Sequence, residues 1–286
     1  MITVHSIQAL RAALAPLRQS GKTIALVPTM GNLHDGHLQL IDLAKQHADI
    51  TVATIFVNPL QFGAGEDLDT YPRTLTEDQA KLNSRDCDFL FAPNEVEMYP
   101  NGRAQQTEVS VPAISDIHCG ASRPGHFTGV ATVVCKLFGI AQPDVAVFGE
   151  KDYQQLKVIR QMATDLCIPV NIIGAPIARN KDGLALSSRN GYLSEQEIQL
   201  AKTLRATLQQ TADLLQQGNR NIAELQESAQ QQLEQHGFKR DYFVICRQHD
   251  LQPADSTDKN LVILAAAHLG AARLIDNLEV LLSSSE

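Results

Sequence analysis

The sequence predicts an α/β fold: a Rossmann-like, doubly wound parallel sheet followed by a second, smaller α+β domain at the C-terminal end. Three observations carry this. Five short runs, residues 24–27, 50–57, 88–91, 145–148 and 170–173, are apolar without polar alternation, as strands buried on both faces are. Stretches near 38–47, 76–84, 127–141 and 153–165 lie between them with helical spacing, the alternation of a parallel sheet covered on both sides. After residue 190 the texture changes to two Gln-rich helical stretches and then three further strands, at 242–245, 261–265 and 272–275. The expected domains are residues 1–177 and 178–286.

Each element has a local reason. Ile7, Leu10, Leu14 and Leu17 follow helical spacing but are interrupted by Arg11 and neighbouring polar residues, so they predict an amphipathic helix rather than a signal-peptide core. The run at 24–27 feeds a helix through a turn at residues 28–37, and the run at 50–57 leaves through Asn58-Pro59-Leu60-Gln61. Arg123-Pro124-Gly125-His126 opens the helix at 127, and Gly149-Glu150-Lys151-Asp152 opens the helix at 153. In the second domain Ile198, Ala201, Leu204 and Leu208 form one apolar stripe, and Ile222, Leu225, Ala229 and Leu233 another. A disordered tail is expected only at 283–286.

Composition narrows the function. There are 24 Lys and Arg against 32 Asp and Glu, a net charge of −8. That acidity argues against a nucleic-acid surface, so any bound anion must meet a local positive pocket. No apolar run reaches the roughly 18 residues of a membrane span. Cys87, Cys119, Cys135, Cys167 and Cys246 are scattered without a C-x-x-C pair, which predicts reduced core thiols in a cytoplasmic protein and no zinc site.

The turn Pro28-Thr29-Met30-Gly31-Asn32-Leu33-His34-Asp35-Gly36-His37 is the most informative segment. A strand entering a helix through glycines presents backbone N–H groups and the positive end of the helix dipole to an anion. His34 and His37 are open to three readings: a helix cap or surface contact, a metal pair lacking a third ligand, or donors to a phosphate that becomes more negative during reaction. Asn58 and Gln61 are neutral amides at a strand end, suited to hydroxyls and a carboxylate, or to satisfying their own turn. Glu66, Asp67 and Asp69 form an acidic loop, either solvated or near a magnesium–phosphate complex. Arg123 and His126 are placed to meet an anion. Lys151 suits a phosphate and Asp152 a sugar hydroxyl, or the two form a helix cap with an exposed lysine, and Gln155 falls one turn further into the helix. Ser187, Ser188 and Arg189 suit a diphosphate leaving group, or belong to a plain turn.

The strings P-T-M-G-x-L-H-x-G-H, F-V-N-P-x-Q-F, Y-P-R-T, R-P-G-H-F-x-G-V, F-G-E-K-D-Y-Q-Q and L-S-S-R-N occur in order between residues 28 and 190. In this the chain resembles the pantothenate synthetase (pantoate–β-alanine ligase) family of the cytidylyltransferase-like nucleotidyltransferases. The resemblance implies a two-step reaction in which the (R)-pantoate carboxylate attacks the α-phosphorus of Mg-ATP. The amine of β-alanine then attacks the pantoyl adenylate, giving pantothenate and AMP. It implies that residues 28–37 bind ATP, with His37 as proton donor. It further implies that Gly149, Glu150, Lys151, Asp152, Ala178, Leu186, Ser187, Ser188 and Arg189 hold the nucleotide, with His34, His37, Lys151 and Arg189 catalytic. Gln61, Asn58, Gln155 and Arg123 would serve pantoate and β-alanine, residues 178–286 would form a lid, and two copies would form a homodimer. No metal is expected to be held by the protein alone. A nucleotidyltransferase that keeps the nucleotide in its product would use the same turn without an amine site, and a nucleotide sensor would need no pyrophosphate clamp.

Overall fold

The computed structural model describes residues 1–282, so the tail expected at 283–286 lies outside the described residues. Two units are distinguished: Met1–Glu150 with Gln154–Pro176, and Lys151–Tyr153 with the chain from Ile177 onward. The first unit opens with β1 (Ile2–Val4) and α1 (Ile7–Gln19), followed by β2 (Ile24–Thr29), α2 (Asp35–His47), β3 (Ile50–Ile55), α3 (Leu75–Asn83) and β4 (Phe89–Phe91). The long connection to β5 holds two single-turn helices, α4 (Glu95–Met98) and α5 (Cys119–Ser122), and then α6 (His126–Ala141). β5 (Val145–Gly149), α7 (Tyr153–Asp165) and β6 (Asn171–Ala175) complete it.

The six strands run β1-β4-β3-β2-β5-β6, every pair parallel. From β2 the chain winds outward through β3 and β4, then returns to β5 and β6. The winding direction therefore reverses between β2 and β5, and a ligand crevice is expected outside the carboxyl ends of those two strands. Both faces of the inner strands are buried, which explains their unbroken apolar runs. Ala25, Val27, Ala53, Leu90, Val145 and Val147 share a core with Leu40, Ile41 and Ala44 of α2 and Leu82 of α3. The intervening Leu26, Val52, Phe91, Ala146 and Phe148 are buried too, and Phe148 meets the Phe138 ring of α6 edge-on at 6.4 Å. β1 was not anticipated: three residues at a sheet edge are too few to show a pattern.

The second unit contains α8 (Glu195–Gln216), α9 (Ile222–Gln235) and an antiparallel sheet of β7 (Lys239–Arg247), β8 (Asn260–Leu269) and β9 (Ala272–Leu281) in that order. Ala201, Leu204 and Leu208 of α8 and Leu225, Ala229 and Leu233 of α9 share a core with Phe243, Ile245, Ile263 and Ala265. These strands run longer than expected because their outer residues, such as Lys239 and Glu279, are exposed and polar. Two cysteines depart from the expected core placement: Cys135 is half-buried, and Cys167 is exposed, at φ 53° in the left-handed turn that ends α7. Cys87 and Cys246 are buried, and burial pushes their thiols up to about 11 and about 12.

Candidate functional site

The turn after β2 is built around one carboxylate. Gly31 and Asn32 both take positive φ, 83° and 50°, and a Cβ at Gly31 would stand 3.0 Å from Ile55 and 3.1 Å from Asp78. Asp78, in α3 and 0% exposed, accepts from the Asn32 N–H at 2.9 Å, the Leu33 N–H at 2.8 Å and the Thr74 hydroxyl at 3.2 Å. The Lys81 ammonium donates to the Leu33 carbonyl at 2.6 Å. Together they hold the chain in a conformation that Asn32 would otherwise adopt at a cost.

His34 is the N-cap of α2: its Nδ1 accepts from the Gly36 N–H at 3.1 Å, while the His37 Nδ1 accepts from the His34 N–H at 3.3 Å. The two rings lie 4.1 Å apart. With each Nδ1 accepting a backbone N–H, Nε2 is the ring nitrogen able to donate. The turn therefore sets two Nε2–H donors beside the N-terminal end of the α2 dipole, which favours an anion there. The bonds at Nδ1 are those of the helix-cap reading.

A second wall is built on the 3-10 turn Pro59–Gln61. Asn58 is 1% exposed, and its amide donates to the Gln61 Oε1 at 3.0 Å and the Gly129 carbonyl at 3.1 Å. Its oxygen accepts from the Leu60 N–H at 3.3 Å and the Tyr99 hydroxyl at 2.6 Å. Burial, with Glu95 nearby, raises the Tyr99 pKa well above its ordinary range and keeps it a donor. With its oxygen held by Asn58, Gln61 is oriented to offer its amide N–H groups, one of which reaches the Met30 sulfur at 3.2 Å. The turns after β2 and β3 are thereby brought together.

Arg123 is used within the protein. It grips Glu66 through two hydrogen bonds of 2.6 Å and donates to the Gln61 carbonyl at 3.3 Å and the His126 Nε2 at 3.0 Å. His126 donates from Nδ1 to the same carbonyl at 2.8 Å. Burial works to raise the Glu66 pKa, but the Arg123 fork outweighs it and the carboxyl lies below its ordinary value. The acidic loop is thus tied down at Glu66 by an arginine.

In the second unit, Lys151 pairs with Asp152 at 3.3 Å. Residues 178–186 form a hairpin: Arg179 bridges Ala185, and the Leu186 N–H donates to the Ala178 carbonyl at 2.9 Å. The Ser187 hydroxyl accepts from the Arg189 N–H at 3.2 Å and starts the 3-10 turn Ser188–Tyr192. Arg179 forks onto Asp276 of β9 at 2.7 and 2.8 Å. Gln155 is half-buried, whereas its neighbour Gln154 is buried and ties α7 to the carbonyls of Ile114 and Ile117. Among the described residues there is no group of three or more His, Cys, Asp or Glu side chains that could hold a metal ion, and no helix long and apolar enough to cross a membrane.

Sequence reading missed Asp78, Tyr99, Gly129 and Asp276. Only Asp78 left a trace: it stands four residues before buried Leu82, a charge on the inward side of a helix.

Comparison with known proteins adds independent findings. The family described as pantoate-beta-alanine ligase matches residues 2–279. The pantothenate synthetase of Marinobacter nauticus is 58% identical over 98% of this chain and 99% of its own length. That of Pseudomonas fluorescens is likewise 58% identical, over 98% of both. The crystal structure of pantothenate synthetase from Thermus thermophilus superposes with a TM-score of 0.92 at 44% identity, covering 98% of this chain and all of that one. The pantoate-beta-alanine ligase of Francisella tularensis, solved with beta-gamma ATP and beta-alanine, gives 0.82 at 35% identity over 97% of each.

Proposed function

Because the chain belongs to the pantoate–β-alanine ligase family, we propose that it condenses (R)-pantoate with β-alanine at the expense of ATP, through pantoyl adenylate. A pantoate carboxylate oxygen forms a bond to the α-phosphorus as the bond to pyrophosphate breaks. The β-alanine nitrogen then bonds to the acyl carbon, the carbon–oxygen bond to AMP breaks, and the amine gives up a proton. Transfer at phosphorus asks for positioning and charge stabilisation rather than a protein nucleophile.

The observation that carries this reading is the pair of Nε2–H donors at the start of α2, each fixed by the hydrogen bond its Nδ1 accepts. His34 and His37 donate to the phosphates, aided by the positive end of the α2 dipole. Gln61 meets both organic substrates. Asn58 and Arg123 act through it, since their own polar atoms are engaged within the protein. Gln155 serves pantoate. Lys151 and Arg189 supply the cations for the pyrophosphate, Ser187 and Ser188 its hydrogen bonds, and Ala178 a backbone contact to adenine. Magnesium would enter with the nucleotide, as Mg-ATP. Residues 1–177 are the catalytic domain and 178–286 the lid. A cytoplasmic homodimer is part of the same reading and rests on the family resemblance.

The test is incubation with Mg-ATP and pantoate, with and without β-alanine. Pantoate-dependent pyrophosphate release, and AMP release stimulated by β-alanine, are expected. His37→Ala should slow ATP–pyrophosphate exchange by about 10²-fold, and no pantoate-dependent turnover in the unaltered protein would refute the reading.

A further inference from the structure

Asp276 and Asn277 are neighbours on β9, yet they grip two stretches lying 97 and 126 residues upstream. The Asp276 carboxylate is buried. It takes the Arg179 fork and also accepts from the Asn277 N–H at 2.8 Å. Arg179 in turn donates to the Gly183 carbonyl at 3.0 Å, closing the hairpin that leads into Leu186, Ser187, Ser188 and Arg189. The Asn277 amide donates to the Lys151 carbonyl at 3.1 Å. Two residues further along the strand, Glu279 accepts from the Tyr153 hydroxyl at 2.7 Å. Alternation along a strand puts Asn277 and Glu279 on one face and Asp276 on the other. One face of β9 therefore holds Lys151–Tyr153, which the chain enters directly from β5, and the other holds the hairpin before Arg189.

We propose that Asp276 and Asn277 are positioning residues for the phosphate-binding cations, fixing Lys151 and the 186–189 segment to one strand so that their mutual spacing is set before ATP arrives. This rests on the assignment of Lys151 and Arg189 to the phosphates. Neither side chain touches substrate. Each acts through the backbone or the guanidinium it holds, and a misplacement of about 1 Å in such a group is felt strongly in the rate.

A double-mutant cycle in the full-length protein separates this role from simple loss of stability. Asn277→Ala, and Asn277→Asp, which keeps the shape but cannot donate to a carbonyl, should each lower pantoate-dependent ATP–pyrophosphate exchange about tenfold. The KM for pantoate should not change. In a Lys151→Ala background the same Asn277 substitutions should have no further effect. Tyr153→Phe, which removes a single oxygen from the other tie, should show the same coupling and decides the matter if the Asn277 variants fold poorly by circular dichroism. Additive losses in the cycle, or undiminished exchange in the single variants, would overturn the proposal. A Lys151→Ala variant with undiminished exchange would instead overturn the assignment of Lys151, and the proposal with it.

Discussion

Gly129→Ala sets two effects of known size against each other. Gly129 lies inside α6, where alanine is favoured over glycine by about 1 kcal/mol, so helix propensity alone predicts a more stable protein. The space around it predicts the reverse. A Cβ there would stand 2.2 Å from the Leu60 oxygen, 2.4 Å from the Leu60 carbonyl carbon and 2.7 Å from the Gln61 nitrogen. All three are backbone atoms, so no side chain can swing aside, and the 3-10 turn or the helix must retreat by roughly 1 Å. Overpacking of this kind costs about 1–3 kcal/mol, which the propensity gain offsets in part. Catalysis has no such offset, because the atoms that move carry Gln61 and its bonds from Asn58 and His126. A shift of that size is expected to cost about 10²-fold in rate, equivalent to about 2.7 kcal/mol of barrier. The assay is steady-state pantothenate formation beside thermal denaturation, with Gly139→Ala as control. Gly139 lies in the same helix with nothing within 4 Å of its Cβ position, so that variant should gain stability and keep full activity. A Gly129→Ala protein as active as the Gly139→Ala control would refute the reasoning.

His34→Asn keeps a strong N-cap while removing the Nε2–H, so thermal stability should stay within about 0.5 kcal/mol of the original as ATP affinity, measured by calorimetric titration, falls. Asp78→Asn leaves one of the Asn32 and Leu33 N–H groups facing an NH2 group; it should destabilise the protein by about 1–3 kcal/mol in urea and weaken ATP binding without altering β-alanine saturation. Because the Glu66 pKa is depressed in the folded state, its stabilisation is present above the ordinary value of 4.5 and lost as pH falls through the folded value. The melting-temperature gap between the original protein and Glu66→Gln should therefore be widest near neutrality and close on acidification, and a gap independent of pH would contradict that account.

What could be read from the sequence was what is decided locally. The β2 turn was visible because its signals lie within ten residues, and the cap on α2 is completed between His34, Gly36 and His37. Unbroken apolar runs such as Ile24–Val27 announce burial on both faces without any knowledge of the partner strands. What escaped depends on distant pairs. Nothing near Arg123 shows that Glu66, 57 residues away, will neutralise it, so the sequence presented it as a group for an anionic substrate. Gly129 reads as one more helix residue until Leu60 is packed upon it. In the second unit Asp276 and Asn277 sit in an ordinary strand pattern, and their contacts follow from the return of the chain to Arg179 and Lys151.

The hydrogen bonds at Nδ1 also change what the two histidines are suited to do. On sequence grounds a histidine near pKa 6.5 can take on charge as negative charge builds on phosphate. The Nδ1 atoms of His34 and His37 are each taken by a backbone N–H of the cap, so it is Nε2 that each ring can present to a ligand. On the proposed reading, the α-phosphate is then met by fixed dipoles: two Nε2–H groups and the first turn of α2, which need no reorganisation during the step. Net positive charge is left to Lys151 and Arg189, whose segments are tied to β9. Such a division suits an acyl-phosphate intermediate, since dipoles stabilise the developing charge without lending a proton that would hasten its loss to water.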